Sequence, residues 1–146
     1  MTLPTDKLQG THVYIKVGDG ATPTETFTHP CLINTKRGVK FNSSTQKDIV
    51  PDCANPDDPA WEQCFVDGLN ISVDGAGKLD TSAVATYDAW YQGGAAKNVQ
   101  IWLGTLGYWQ VPMKLVNWSI DGDRNKYADA TVSLMSDGPS STWTPA

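Results

Sequence analysis

Residues 68–94 read GLNISVDGAGKLDTSAVATYDAWYQGG, and the period of the hydrophobic pattern changes within them. Leu69, Ile71 and Val73 alternate with Asn70 and Ser72, the period of two that marks a half-buried strand. Residues 74–77, DGAG, then read as a glycine-rich turn. From there the spacing becomes helical: Val84, Tyr87 and Trp90 with Tyr91 form an apolar stripe that must lie on a sheet. Asp80 or Thr81 can accept a hydrogen bond from the free amides of a first helical turn, and Gly93 can take the left-handed conformation that ends one. The predicted helix spans about residues 80–92 and is about 18 Å long. One strand, one turn and one helix set the frame: a sheet on which a single helix packs.

Strands extend outward from it on both sides. THVYIKV (11–17) puts Val13, Ile15 and Val17 on one face and His12, Tyr14 and Lys16 on the other. Residues 25–35 are extended, but Pro30 confines them to an edge or a bulge. GVKFNSSTQKDIV (38–50) alternates again, with Val39, Phe41 and Ile49 opposed by polar side chains. NVQIWLG (98–104) and YWQVPMKLVNWSID (108–121) read as a hairpin, and KYADATVSLMS (126–136) closes the pattern. Regular short strands with one helix predict a mainly β fold, a β-sandwich or barrel of two packed sheets. No repeat or linker divides residues 1–146, so one domain is expected, with an N-terminal arm (1–10), a long loop (50–61) and a C-terminal tail (139–146) that is loose or ordered by a partner.

Composition bounds the function. A formal net charge of -5 argues against an exposed surface that neutralises nucleic-acid phosphates. No run of apolar residues is long enough to span a bilayer, and the first residues lack the basic and apolar segments of a secretory signal, so a soluble protein of a reducing compartment is expected. Three cysteines cannot all pair within one chain.

The supply of catalytic groups is thin. His12 and His29 are the two histidines, both in predicted strands, and neither a phosphate-cradling loop nor a nucleophile elbow is present. DGDRNKYADATV (121–132) spaces Asp121, Asp123 and Asn125 like calcium ligands but has Lys126 where the sharp turn requires glycine and Val132 where a bidentate acid is required. Cys53 and Cys64 lack the partners of a zinc site, and read as small buried hydrophobes or, in an oxidising medium, a disulfide. Asp52, Asn55, Asp57, Asp58 and Glu62 crowd into KDIVPDCANPDDPAWEQC (47–64) without ligand spacing. No catalytic residue, metal or cofactor is assigned. The sequons at Asn42, Asn70 and Asn117 are read as strand composition.

The order of elements resembles the tail tube proteins of long-tailed, non-contractile phages and gene transfer agents, relatives in fold of the type VI secretion tube protein. The resemblance runs over roughly residues 11–138. It is carried by GVKFNSSTQKDIVP entering a loop, by GLNISVDGAGKLD before the helix SAVATYDAWYQGG, and by VNWSIDGDRNKYADATVSLMSDG as closing strands. It implies a structural virion protein, made in the bacterial host cytoplasm, whose hexameric rings stack into a conduit for DNA. The implied partners are further copies of itself, the tape measure, tail terminator and distal tail proteins, and DNA sliding through an acidic lumen without specific binding; no membrane is involved. Two rival readings are a carbohydrate-binding β-sandwich using Trp61, Trp102, Trp109 or Trp118, and a ring-forming head-tail connector or tail terminator. Under the tube reading the 50–61 loop crosses a subunit or ring boundary. Asp52, Cys53, Asp57, Asp58 and Trp61 are then interface candidates, the aspartates meeting Lys36, Arg37 or Arg124 of a neighbour and Trp61 anchoring the return of the loop.

Overall fold

A computed structural model of the protein describes residues 7–20, 24–28 and 35–146. The strand expected over 25–35 therefore falls partly outside the described residues, as do His29, Pro30, Cys31 and the first six residues of the N-terminal arm. Within the described residues the chain forms β1 (Val13–Gly18), β2 (Phe27–Thr28), β3 (Lys36–Val50), β4 (Trp61–Lys78), α1 (Val84–Gly93), β5 (Lys97–Leu103), β6 (Gly107–Asp121), β7 (Asp129–Ser136) and β8 (Thr144–Pro145). All strand pairs are antiparallel.

The hydrogen bonding corrects the expectation of two separate sheets. One sheet runs in the order β2-β1-β5-β6-β7-β4-β3, with β8 also on β6. It nevertheless folds over on itself. On a flat sheet β1 and β3 would lie five strand spacings, or about 24 Å, apart. Instead Arg37 at the start of β3 donates from Nη1 to the carbonyls of Thr11 (2.9 Å) and Val13 (3.2 Å) at the start of β1. The strand that both halves share is β6. Its Tyr108–Met113 part pairs with β5, and its later part continues only with β7, past a bulge at Val116 between Leu115 and Asn117.

The inner faces of the two halves make one core. Ile15, Val99, Ile101, Val111 and Met113 come from one half, Ile71, Val73, Ala130, Val132 and Leu134 from the other. Helix α1 adds Tyr87 and Trp90 to this core, and Val84 is half-buried. Tyr91, expected in the same stripe, is exposed instead. Trp90 can be buried because its indole N–H donates to Ala95 O at 2.8 Å. Asp80 accepts from Ser82 N at the helix entrance, after which residues 81–83 form a tight turn. The left-handed residue at the exit is Gly94 (φ 65°), one position beyond the expected Gly93.

Two local readings give way to pairing. Residues 74–77 are not a turn: β4 runs through them, with Gly75 opposite Arg37 on β3 and opposite Val132 on β7. A ladder on both edges outweighs the turn preference of Asp-Gly, and Asp74 is held by a hydrogen bond from Ser133 Oγ at 3.0 Å. Nor is the C-terminal tail loose. It follows β6 in place of β7, with Asp137 N donating to Pro112 O, Ser141 N to Gln110 O and Ala146 N to Leu106 O. Trp143 packs on Trp109, ring centroids 4.6 Å apart.

Arg37→Ala removes the charged donor that ties the ends of the folded sheet together. Urea unfolding should show a loss of about 2 kcal/mol, whereas a loss below about 0.5 kcal/mol would mean that the fold-over holds without the tie.

Candidate assembly surfaces

The β3-β4 hairpin is longer than the core that supports it. Val39 of β3 and Ile71 and Val73 of β4 pack at the core, but residues 40–50 and 61–67 are exposed on both faces. At its root lies a bulge: Ser44 pairs with Gly68 and Thr45 with Val66, which leaves Asp67 as the extra residue. Beyond it six further pairs, from Thr45–Val66 to Val50–Trp61, carry a two-stranded ribbon about 20 Å outward.

The bulge is pinned by polar contacts. Gln46 Nε2 donates to Asp67 Oδ2 at 3.1 Å. That bond first, and one from Ser44 second, hold the exposed Asp67 carboxyl below the ordinary value of 3.8. Because the folded value lies below the unfolded one, the contribution to stability is present above the unfolded value. It is lost as pH falls through the folded value.

The ribbon carries apolar residues on both sides. Opposed residues of an antiparallel pair share a face, so Ile49 and Val66 lie on one face and Val50, Trp61 and Phe65 on the other. All five are exposed, Trp61 to 89%, and Leu69 at the root to 83%. The sequence reading singled out Trp61 alone. The missed signal is the adjacent apolar pairs Ile49-Val50 and Phe65-Val66: neighbours on a strand point to opposite faces, so a one-faced core cannot bury both. At the root, Phe41, Leu69, Ile71 and Trp109 line an open cleft of about 640 Å³, which the C-terminal segment Gly138–Ser141 borders.

The expected interface residues fall in two places. Asp52, Cys53, Asp57 and Asp58 are exposed in the loop at the ribbon tip, where Asp52 Oδ1 accepts from Ala54 N at 2.9 Å and Asp58 N donates to Asn55 O. Cys53 and Cys64 are free thiols and both are exposed, which overturns their reading as small buried hydrophobes: each lies on the hairpin beyond the core. Lys36 and Arg37 sit at the opposite end of β3, about 45 Å away along a 15-residue strand. Arg37 is already engaged with β1 of its own chain, which removes it from the candidate partners of the loop. Arg124 is exposed in the turn between β6 and β7. Loop acids and Lys36 therefore cannot meet within one copy.

Three of the four tryptophans of the sugar-binding reading are stacked on other rings. Trp102 has Tyr108 stacked on it at 4.5 Å from β6 and Lys16 over its ring at 4.7 Å from β1. Trp109 is flanked by Phe41 and Trp143, and Trp118 stacks on Tyr87. Trp61 stands alone at the ribbon.

With the geometry in place, comparison with known proteins assigns the class of fold. No protein-family model and no curated protein matches the sequence. Among solved structures, the chain is similar to one in the tail of an empty gene transfer agent particle refined helically with C6 symmetry. The TM-score is 0.78 at 18% identity, over 94% of this chain and 99% of that one. A chain of the native gene transfer agent virion matches with a TM-score of 0.74 at 17% identity, over 94% and 99% of the two chains. The SPP1 tail tube matches with 0.56 at 12% identity, over 90% of this chain and 77% of that one. The chain thus has the fold of tail tube proteins.

The bulge gives a titration to measure. In an NMR pH titration the Asp67 carboxyl should show a midpoint below 3.8, and Gln46→Ala should move it upward. An unmoved midpoint would remove Gln46 as the main cause.

Proposed function

We propose that this protein is a structural subunit of a virion tail tube, assembling in hexameric rings that stack into a conduit for DNA. The observation that carries the reading is the near end-to-end likeness to chains of a helically refined tail with C6 symmetry. It is supported by a ribbon with apolar residues on both faces, which one copy leaves uncovered. A non-catalytic role and a place in the virion tail go with this reading, as do the tape measure, terminator and distal tail proteins as partners and synthesis in the host cytoplasm.

The ribbon is the proposed connector. It carries Asp52, Cys53, Asp57, Asp58 and Trp61 well beyond its own core, toward Lys36 or Arg124 of another subunit. Because knob and receiving site lie on different parts of the molecule, the contact is head-to-tail, the kind that closes rings or extends filaments.

The face of β3, β4, β7 and β6 that points away from the core is the proposed channel wall. It carries Asn42, Ser72, Asn117, Ser119, Thr131 and Ser133, and no arginine. Ser119 and Thr131 hydrogen bond to each other across the strands, as do Asn42 and Asn70. Two of its lysines are matched by acids, Lys78 with Asp129 at 2.7 Å and Lys114 with Asp137 at 3.5 Å, while Lys36 and Lys40 lie on the same face with no ion pair among the described residues. The wall is a hydroxyl and amide surface, nearer to neutral than the acidic lumen that net charge alone suggests. DNA passes it without capture because few free cations meet the phosphates.

Electron microscopy of concentrated protein should show stacked rings or tubes; a persistent monomer at every concentration refutes the reading. Deletion of residues 52–59 should leave a folded subunit that does not form tubes, and normal polymerisation of that variant would exclude the ribbon tip as connector. Assembled tubes should bind duplex DNA negligibly at about 0.15 M salt. Tight binding there would contradict the channel wall.

A further inference from the structure

Aspartate followed by glycine is a peptide step open to spontaneous rearrangement, because glycine leaves its amide unhindered and its backbone free to rotate. The chain has five such steps, beginning at Asp19, Asp67, Asp74, Asp121 and Asp137. We infer that Asp121-Gly122 is a modification site, where the folded chain converts aspartate to isoaspartate, and that the fold protects the other four steps. The inference is independent of the tube reading.

The chemistry needs no cofactor or oxidant. The Gly122 amide nitrogen loses its proton and bonds to Cγ of Asp121; a Cγ–O bond breaks and water leaves, closing a five-membered succinimide. Water then opens the ring at either carbonyl. Attack at Cγ restores aspartate, and attack at the main-chain carbonyl gives isoaspartate, in which the backbone runs through Cγ.

Ring closure requires a carboxylate that can swing onto the next amide, and four of the five are held. Asp19 Oδ1 accepts from Thr26 N at 3.1 Å, while Gly20 N donates to Glu25 Oε2 at 3.1 Å. Asp67 Oδ2 accepts from Gln46. Asp74 Oδ1 accepts from Ser133 Oγ, in a strand paired on both edges. Asp137 Oδ2 faces Lys114 Nζ, and its own N–H donates to Pro112 O.

Asp121 differs. It is the last residue of β6 and is exposed, as is Gly122 after it. Among the described residues no hydrogen bond or ion pair engages its carboxylate, and Gly122 N donates to no backbone carbonyl. The reason lies across the ladder: Asp121 is opposite Asp129, and Lys78, the cation at that end, is bonded to Asp129 at 2.7 Å. Isoaspartate would add a backbone atom where β6 leaves β7, and so displace the turn that carries Arg124.

The test is incubation of the folded full chain near neutral pH in water enriched in heavy oxygen, followed by tryptic digestion in ordinary water. Cleavage after Lys114 and Arg124 separates the Asp121 step from the other four. Peptide 115–124 should split into two chromatographic forms, with fragmentation placing heavy oxygen at residue 121. Its initial rate should exceed those of the other four steps by about tenfold, a barrier lower by about 1.4 kcal/mol. Gly122→Ala should slow it by a similar factor. That variant keeps the fold, since Gly122 has no positive φ and an added Cβ meets nothing within 4 Å. Circular dichroism checks this. Similar rates at all five steps, or label at residue 121 only in urea-unfolded chain, overturns the inference.

Discussion

A β-strand offers hydrogen-bonding groups along both edges, and among the described residues β3 and the second half of β6 have a strand partner along only one. β4 is paired on both sides where it crosses the core, from Ser72 to Lys78, and β6 is paired on both sides up to Met113. β3 and the second half of β6 are not. Everything distinctive about the molecule follows from that shortage. The sheet folds over to bury its apolar face, and Arg37 fastens β3 to β1, but no strand remains to cover the outer edges. Soluble proteins commonly blunt such edges with charge, bulges or short strands. The bulge at Val116 and the lysines at 36 and 40 do part of this, and the rest of the ladder stays available to another copy.

How much of this was legible follows the range of the forces involved. Alternation at Val13–Val17 and Val99–Leu103, and the helical spacing of Tyr87 and Trp90, are local consequences of one buried face, and they read directly as strands and a helix. Residues 74–77 did not, because two neighbouring strands override the local preference of Asp-Gly, and those neighbours are contributed by β3 and β7, distant in sequence. The tail 139–146 looks polar and unstructured for the same reason: its order comes from backbone bonds to β6, which side-chain polarity does not report. Tyr91 is an error of phase, one residue past the buried stripe. Arg37 could be marked as a cation from sequence, but its partners are main-chain carbonyls of residues 11 and 13, which leave no trace in residue type.

The proposed connector reads as a loop in the sequence and is mostly strand in the structure. KDIVPDCANPDDPAWEQC appears as a long loop because its prolines and aspartates dominate the composition. In the structure most of the reach comes from the strands on either side, and the loop proper is a cap with two local bonds of its own, Ala54 N to the Asp52 carboxylate and Asp58 N to Asn55 O. The reading of residues 38–50 as alternating was correct as strand and incomplete as burial, since alternation in a strand that leaves the core sorts side chains between two solvent-facing sides.

The ribbon's physical state also bears on when assembly begins. A two-stranded ribbon without a layer beneath it is marginally stable in water. Beyond the bulge at Asp67 this one has no helix or third strand to rest on, and its ladder and side-chain amide contacts are all solvent-exposed. Its apolar residues point both ways, so neither face can be hidden by collapse onto its own domain. In the proposed assembly, order in the ribbon is gained together with burial, when another subunit covers it. In the proposed tube the first contacts carry the cost of ordering the ribbon, and later subunits meet edges and ribbons already held.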